Sequence, residues 1–150
     1  MGSLNDIIGD LKVILSKATA KPRSDDEIMS FSLLVERNAH SYPHNSAILF
    51  EEQILSWKEL NEQSNRVANY LKSSGINSGD CVSLFMQNRI EFVVNVVAIC
   101  KLGAIAGLIN TNLTKQPLIH CINLVNSKKC IFGTELSEAL EEVLAHLKLR

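Results

Sequence analysis

Leu4, Ile7, Ile8, Leu11, Ile14 and Leu15 recur at steps of three and four residues, which places them on one face of a helix. The opposite side carries Lys12 and Lys17 against Asp6 and Asp10. That balanced charge suits a helix docking on the domain better than an anchor lying in a membrane interface, which remains the alternative for residues 4–15. The polar stretch TAKPRSDDE, with Pro22, reads as a linker. Ser24 and Glu27 have capping-box spacing and predict a helix through Ile28, Phe31, Leu34 and Val35, with Pro43 ending that region. Two short apolar runs around EEQ, in AILFEEQILSW, predict a β-hairpin. SWKELNEQSNRVANYLKSSG then puts Leu60, Val67, Ala68 and Leu71 on one helical face and closes at Gly75.

From residue 81 the pattern alternates. CVSLFM reads as a strand, and EFVVNVVAICKLG as a helix that begins with Asn88 and Glu91 in capping-box spacing and stops at Gly103. AIAGLI is the next strand, KQPLIHCINLVNS a helix, KKCIF a strand, and TELSEALEEVLAHLKLR a helix capped by Thr134. Apolar strands that do not alternate in polarity, each followed by a helix, predict an α/β fold with a mostly parallel sheet flanked by helices. A helical N-terminus and the hairpin precede it. Residues 1–22 are the amphipathic helix and linker, and 23–150 the α/β subdomain.

Residues 92–109 are also just long enough to span a bilayer, with Gly103 and Gly107 in small-xxx-small spacing. Lys101 would then sit near the bilayer centre at a cost of about 3 kcal/mol, with Asn95 adding to it. As helix, glycine turn and strand, the same residues carry no such penalty, and Lys101 falls in a last helical turn where its charge is favourable.

Composition narrows the function classes. A chain of 150 residues, 46% hydrophobic and 21% charged, supports one core. Fifteen basic against sixteen acidic residues, without a basic cluster, exclude a nucleic-acid footprint. Cys81, Cys100, Cys121 and Cys130 lie apart in apolar runs, without CxxC or Cys/His metal spacing, and read as small hydrophobes in a reducing compartment. The start has no apolar stretch long enough for a signal peptide, and Asp6 at the sixth position does not suit myristoylation. The expected location is cytoplasmic, with peripheral membrane contact through residues 4–15 as the variant.

Ligands of open parallel sheets collect outside the carboxyl ends of the strands. Those ends carry Gln87 and Asn88, then Asn110, Thr111 and Asn112, then Gly133 and Thr134. Asn110, Thr111 and Asn112 are the candidate site residues, although Asn, Ser and Thr also stand where helix caps are needed. The seven glycines are dispersed; GxxxxGK, GxGxxG, GxSxG and HExxH are all missing. No catalytic, cofactor-binding or metal-ligating residue is assigned. Glu141 and Glu142 read as a solvated face, Trp57 and Tyr70 as core or hinge aromatics, and His40 and His44 as loop residues with weak metal potential.

The series SWKELNEQSNRVANYLKSSGINSGDCVSLFMQNRIEFVVNVVAICKLGAIAGLINTNL, followed by PLIHCINLVNSKKCIFGTELSEALEEVL, resembles the N-terminal part of an AMP-forming acyl-CoA synthetase. The segments LINTNL, LIHC and ELSEALEEVLAHLK are similar to the fatty-acid transport protein and very-long-chain acyl-CoA synthetase branch. The resemblance covers residues 28–148 and implies an incomplete N-terminal domain of that fold. For full-length members it implies activation of a fatty acid with ATP and Mg2+, through an acyl adenylate, followed by transfer to coenzyme A. The family's phosphate loop, its ribose-holding Asp and its catalytic Lys have no counterpart in this chain, so inactivity alone is expected. The implied partner is the remainder of a synthetase chain, or a second copy, meeting exposed apolar surface. A stand-alone remnant binding a protein or membrane is the second expectation.

Overall fold

The computed structural model describes residues 30–149. Segment 4–15, the linker, the boundary at residue 22 and the Ser24–Glu27 box lie outside the described residues. Helix α1 (Phe31–Ser41) starts at Ser30, whose extended backbone (ψ 159°) breaks any continuation from Ser24 and whose hydroxyl accepts the Leu33 N–H at 3.2 Å. The cap of the helix holding Leu34 and Val35 is therefore Ser30, a correction to the sequence expectation.

Strands β1 (Ser46–Phe50) and β2 (Gln53–Ser56) pair antiparallel, with Phe50 opposite Gln53 across the Glu51–Glu52 turn. Helix α2 (Trp57–Ser73) follows at once. Ser56 and Glu59 close a reciprocal capping box, the Ser56 N–H donating to the Glu59 carboxylate at 2.8 Å. At the far end Gly75 adopts φ 90°, and the N–H groups of Gly75 and Ile76 reach the carbonyls of Lys72 and Leu71, each at 3.0 Å. This is the Schellman closure that the glycine predicts.

The alternation then runs as β3 (Cys81–Phe85), α3 (Ile90–Lys101), β4 (Ile105–Leu108), α4 (Lys115–Leu124) and β5 (Lys129–Phe132). The three strands form one parallel sheet in the order β4-β3-β5. The expected α/β architecture, with hairpin and parallel sheet, is thus present. Residues 92–109 are helix, turn and strand. Gly103 turns with φ 66°, and a Cβ there would lie 2.7 Å from the Ser78 hydroxyl oxygen, so both conformation and space require glycine. Among the described residues no helix is long and apolar enough to cross a membrane.

Two further details differ from the sequence expectation. Arg89, not Asn88, holds the N-cap position of α3, and no side chain caps it. The last stretch is not one helix capped by Thr134. It breaks into a 3-10 turn at Thr134–Leu136, α5 (Ser137–Glu141) and a second 3-10 turn at Leu144–His146. Where the chain leaves the second 3-10 turn for extended backbone at Leu147, the Asn123 side chain holds it, donating to the His146 carbonyl at 3.1 Å and accepting the Lys148 N–H at 2.7 Å.

Among the described residues the core lies in three clusters. Val35, Leu55, Leu60, Ile90, Val94 and Val97 join α1, the hairpin, α2 and α3. Leu71, Ile76, Val82 and Ile99 continue that layer onto one face of the sheet. Phe85, Ile109, Leu118, Ile122, Leu140 and Val143 fill the other face beneath α4 and α5. Lys101 has a side chain only 6% exposed and ties α3 to Glu36 of α1 and to Asn61 of α2.

One polar pair is buried within the sheet layer: the hydroxyls of Ser83 and Ser127 lie 2.7 Å apart, both inaccessible to solvent. Ser83→Ala should cost about 1–3 kcal/mol, because it strands the Ser127 hydroxyl without its partner. The Ser83→Ala/Ser127→Ala double variant should recover part of that loss in a urea-unfolding double-mutant cycle. Additive losses would show that the pair is not coupled.

Candidate functional site

At the carboxyl ends of β3 and β4 the chain forms a cleft of about 620 Å³, lined by Met86, Gln87, Asn88 and Phe92 on one side and Leu108 to Thr111 on the other. The sheet brings these groups together because Val82–Leu84 and Ala106–Leu108 run parallel in register, so both strands end at one level. Asn110 and Thr111 therefore line a cleft. Asn112 does not: its N–H donates to the Asn110 side-chain oxygen at 3.0 Å, a local Asx turn that leaves its own side chain outside.

A second, smaller cleft lies between the hairpin turn and the β3–α3 loop, lined by residues including Glu51, Gln87, Asn88 and Arg89. Gln87 and Asn88 belong to both. Beyond β5, Gly133 is buried and continues the ladder, its N–H reaching the Phe85 carbonyl at 2.9 Å. Thr134 does not face the cleft; its carbonyl accepts the Ser137 hydroxyl at 2.9 Å. Glu135 was not a sequence candidate. Its carboxylate takes the Gln87 N–H at 3.0 Å and pairs with Arg89, and the Gln87 donor, ahead of the Arg89 charge, holds its carboxyl below the ordinary glutamate range. Nothing in its local sequence signals this, because the partners lie 46 and 48 residues away.

The GINSGD turn lies at the opposite, amino-terminal end of the strands. Asp80 accepts the Asn77 N–H at 2.7 Å and the Lys128 ammonium at 2.8 Å, and the Lys128 bond is the main reason its carboxyl sits below the ordinary range. The motif is therefore a brace for the β3 and β5 starts and no part of the cleft.

The other candidates take structural places. Trp57 packs on the first core cluster, while Tyr70 is 69% exposed on α2 and is not a core aromatic. Glu141 and Glu142 are exposed, as a solvated face requires, and His40 and His44 are exposed at the end of α1 and just beyond it. Among the described residues no three His, Cys, Asp or Glu side chains come together to hold a metal ion. All four cysteines are free and only partly buried, less enclosed than small core hydrophobes would be. Burial still pushes the Cys130 thiol up to about 11 and raises Cys81 and Cys100, so none of these three is a thiolate at neutral pH.

Chemically, the larger cleft offers amides, a hydroxyl and apolar walls. It carries no charge to set against a nucleotide phosphate or Mg2+, and Arg89 nearby is already committed to Glu135. The residues present do not fit a triphosphate.

The family profile described as AMP-binding enzyme matches residues 35–150. The chain belongs to this family. It is similar to long-chain fatty acid transport protein 2 of Rattus norvegicus, 36% identical over 111 residues, covering 73% of this chain and 18% of that protein. The medium/long-chain-fatty-acid–CoA ligase FadD6 of Mycobacterium tuberculosis is 29% identical over 140 residues, covering 91% of this chain and 23% of that protein. Among solved structures, the N-terminal domain of FACL13 from Mycobacterium tuberculosis superposes with a TM-score of 0.74 at 27% identity, covering 79% of this chain and 30% of that one. The anthranilate CoA ligase AuaEII, solved with anthranoyl-AMP, gives 0.78 at 25% identity, covering 85% of this chain and 25% of that one. The chain thus spans about a fifth of the length of these curated relatives. The resemblance read from the SWKEL to INTNL series, and its lean towards the fatty-acid transport proteins, are both borne out.

Proposed function

We propose that this AMP-binding family chain is the N-terminal segment of an ATP-dependent long- or very-long-chain fatty acyl-CoA synthetase, and that it is inactive by itself. The reading rests on the strand-end cleft: within a family match this broad, the cleft offers Gln87, Asn88, Asn110 and Thr111 but no charged group free to meet a phosphate. ATP, Mg2+ and coenzyme A then belong to the whole synthetase, and Asn110 and Thr111 form one neutral wall of its fatty-acyl or adenylate site. The 150-residue chain should release no pyrophosphate above background when given ATP, Mg2+, coenzyme A and palmitate. Turnover that depends on the fatty acid would sink this reading.

A second reading has its own support. Leu49 and Ile54 on the hairpin are 72% and 64% exposed, and Ile105 and Leu108 on the edge strand β4 are exposed as well. A remnant acting alone could use these faces to bind a protein, a membrane or a second copy. Under the first reading the same faces meet the remainder of the synthetase chain. The native protein's mass in source cells separates the two: 16.6 kDa favours the remnant, and several times that mass favours the synthetase.

A further inference from the structure

Because β4 lies on one side of β3 and β5 on the other, the crossover direction of the sheet reverses between β3 and β5. Open α/β sheets hold their ligands in the crevice at that reversal. In this chain Glu135 spans it. Its carboxylate folds back over Gly133, accepts the Gln87 N–H with one oxygen and meets the Arg89 guanidinium with the other. A Cβ on Gly133 would fall on that carboxylate. Gly133 has φ −79°, which any residue adopts, so a side chain there meets no backbone strain and would instead push the Glu135 carboxylate aside.

We propose that Gly133 and Glu135 form a latch that pins the Gln87–Arg89 loop, the wall common to both strand-end clefts. The inference goes beyond the synthetase reading and does not depend on it. Among the described residues, one carboxylate joins three pieces of chain that no other side-chain bond unites at this point: the end of β3, the start of α3 and the turn after β5. Closed, it fixes where Gln87 and Asn88 stand in the clefts. Released, it frees Arg89 beside the crevice and lets that wall move.

The latch has a defined response to pH. Its donors are the Gln87 N–H and Arg89; Lys115 of α4, Glu138 of α5 and Glu142 line the space on its other side, with Lys115 and Glu142 3.9 Å apart. Glu51 of the hairpin and Glu91 of α3 face Arg89 across the smaller cleft. Since the folded carboxyl sits below its ordinary value, the latch is closed above the ordinary glutamate pKa of about 4.3 and opens as pH falls through the lowered folded value.

The test is amide NMR and hydrogen exchange on the 150-residue chain, with Glu135→Gln and Gly133→Ala. The first variant keeps the bulk and removes the charge; the second keeps the charge and displaces it. At neutral pH both should raise Gln87 amide exchange about tenfold or more, through loss of a charge-assisted bond, while Val82 and Leu84 in β3 keep their protection. The wild-type Gln87 shift should follow an acid titration that Glu135→Gln abolishes. An unchanged Gln87 in both variants, or exchange that rises in step with Val82 and Leu84, would overturn the latch. If Gly133→Ala unfolds the chain, Glu135→Gln decides the question alone.

Discussion

Phe85→Ala is expected to remove about 3–5 kcal/mol of stability, a large share of the roughly 5–15 kcal/mol typical of a domain. Phe85 ends the central strand, is fully buried and sits among Ile109, Leu118, Ile122, Leu140 and Val143. Those neighbours come from α4, α5 and the segments beyond β4 and α5, so truncation opens a cavity against elements held by few hydrogen bonds to the sheet. The expected signature is a urea midpoint shifted down with an unchanged slope if the chain stays two-state. The backbone places Phe85 under further demand: its carbonyl receives the Gly133 N–H, and Gly133 seats Glu135. Phe85→Leu, which keeps most of the volume, should cost less than half as much. A Phe85→Ala loss below about 1 kcal/mol would mean that α4 and α5 collapse onto the gap, and that the second face of the sheet is not rigidly packed.

What the sequence could show follows from the range of each interaction. The Gly75 closure, the hairpin turn and the β-α-β alternation arise from residues within a few positions of one another, and all three read directly from spacing. Gly103 is instructive because two explanations coincide: its positive φ is a local need, whereas its proximity to Ser78 is a contact between distant turns. Only the first was legible. Ser24–Glu27 had suitable cap spacing, but Ser30 stood closer to the apolar face that the first core cluster selects through Val35. The Ser56–Glu59 box was equally visible in SWKE and is an overlooked local signal.

The candidate site was less legible for the same reason. The position of Asn110 and Thr111 at the strand ends was legible because parallel strands end level, which is a property of the fold class. Asn112 stands outside the strand-end cleft, its N–H drawn into an Asx turn with Asn110 two residues back. Glu135 was hidden because its partners are set by the order β4-β3-β5, which alternation alone does not reveal. The last stretch splits into 3-10 turns and a short helix, and its far end is held across the chain by Asn123 of another helix. Periodicity describes an element's own preference and is silent about such capture.

Val97→Asp should be the most damaging single change, upwards of about 4 kcal/mol at neutral pH, enough to unfold a chain of ordinary stability. Val97 has no solvent exposure and lies where α1, the hairpin, α2 and α3 meet. A carboxylate there loses its hydration. The cation one turn on, Lys101, is already engaged by Glu36 and Asn61, so rescuing the new charge means breaking those bonds. Burial raises the folded pKa of the introduced carboxyl above its unfolded value of about 3.9. The penalty is therefore largest above the folded pKa and shrinks as pH falls through it towards the unfolded value. Circular dichroism from pH 7 to 4.5 should show Val97→Asp regaining helix, while Val97→Asn, which cannot ionise, shows no such recovery. Equal behaviour of the two variants would mean that Lys101 has turned to meet the carboxylate. The helical layer would then be plastic where the packing of Val35, Leu60 and Val97 requires it to be fixed.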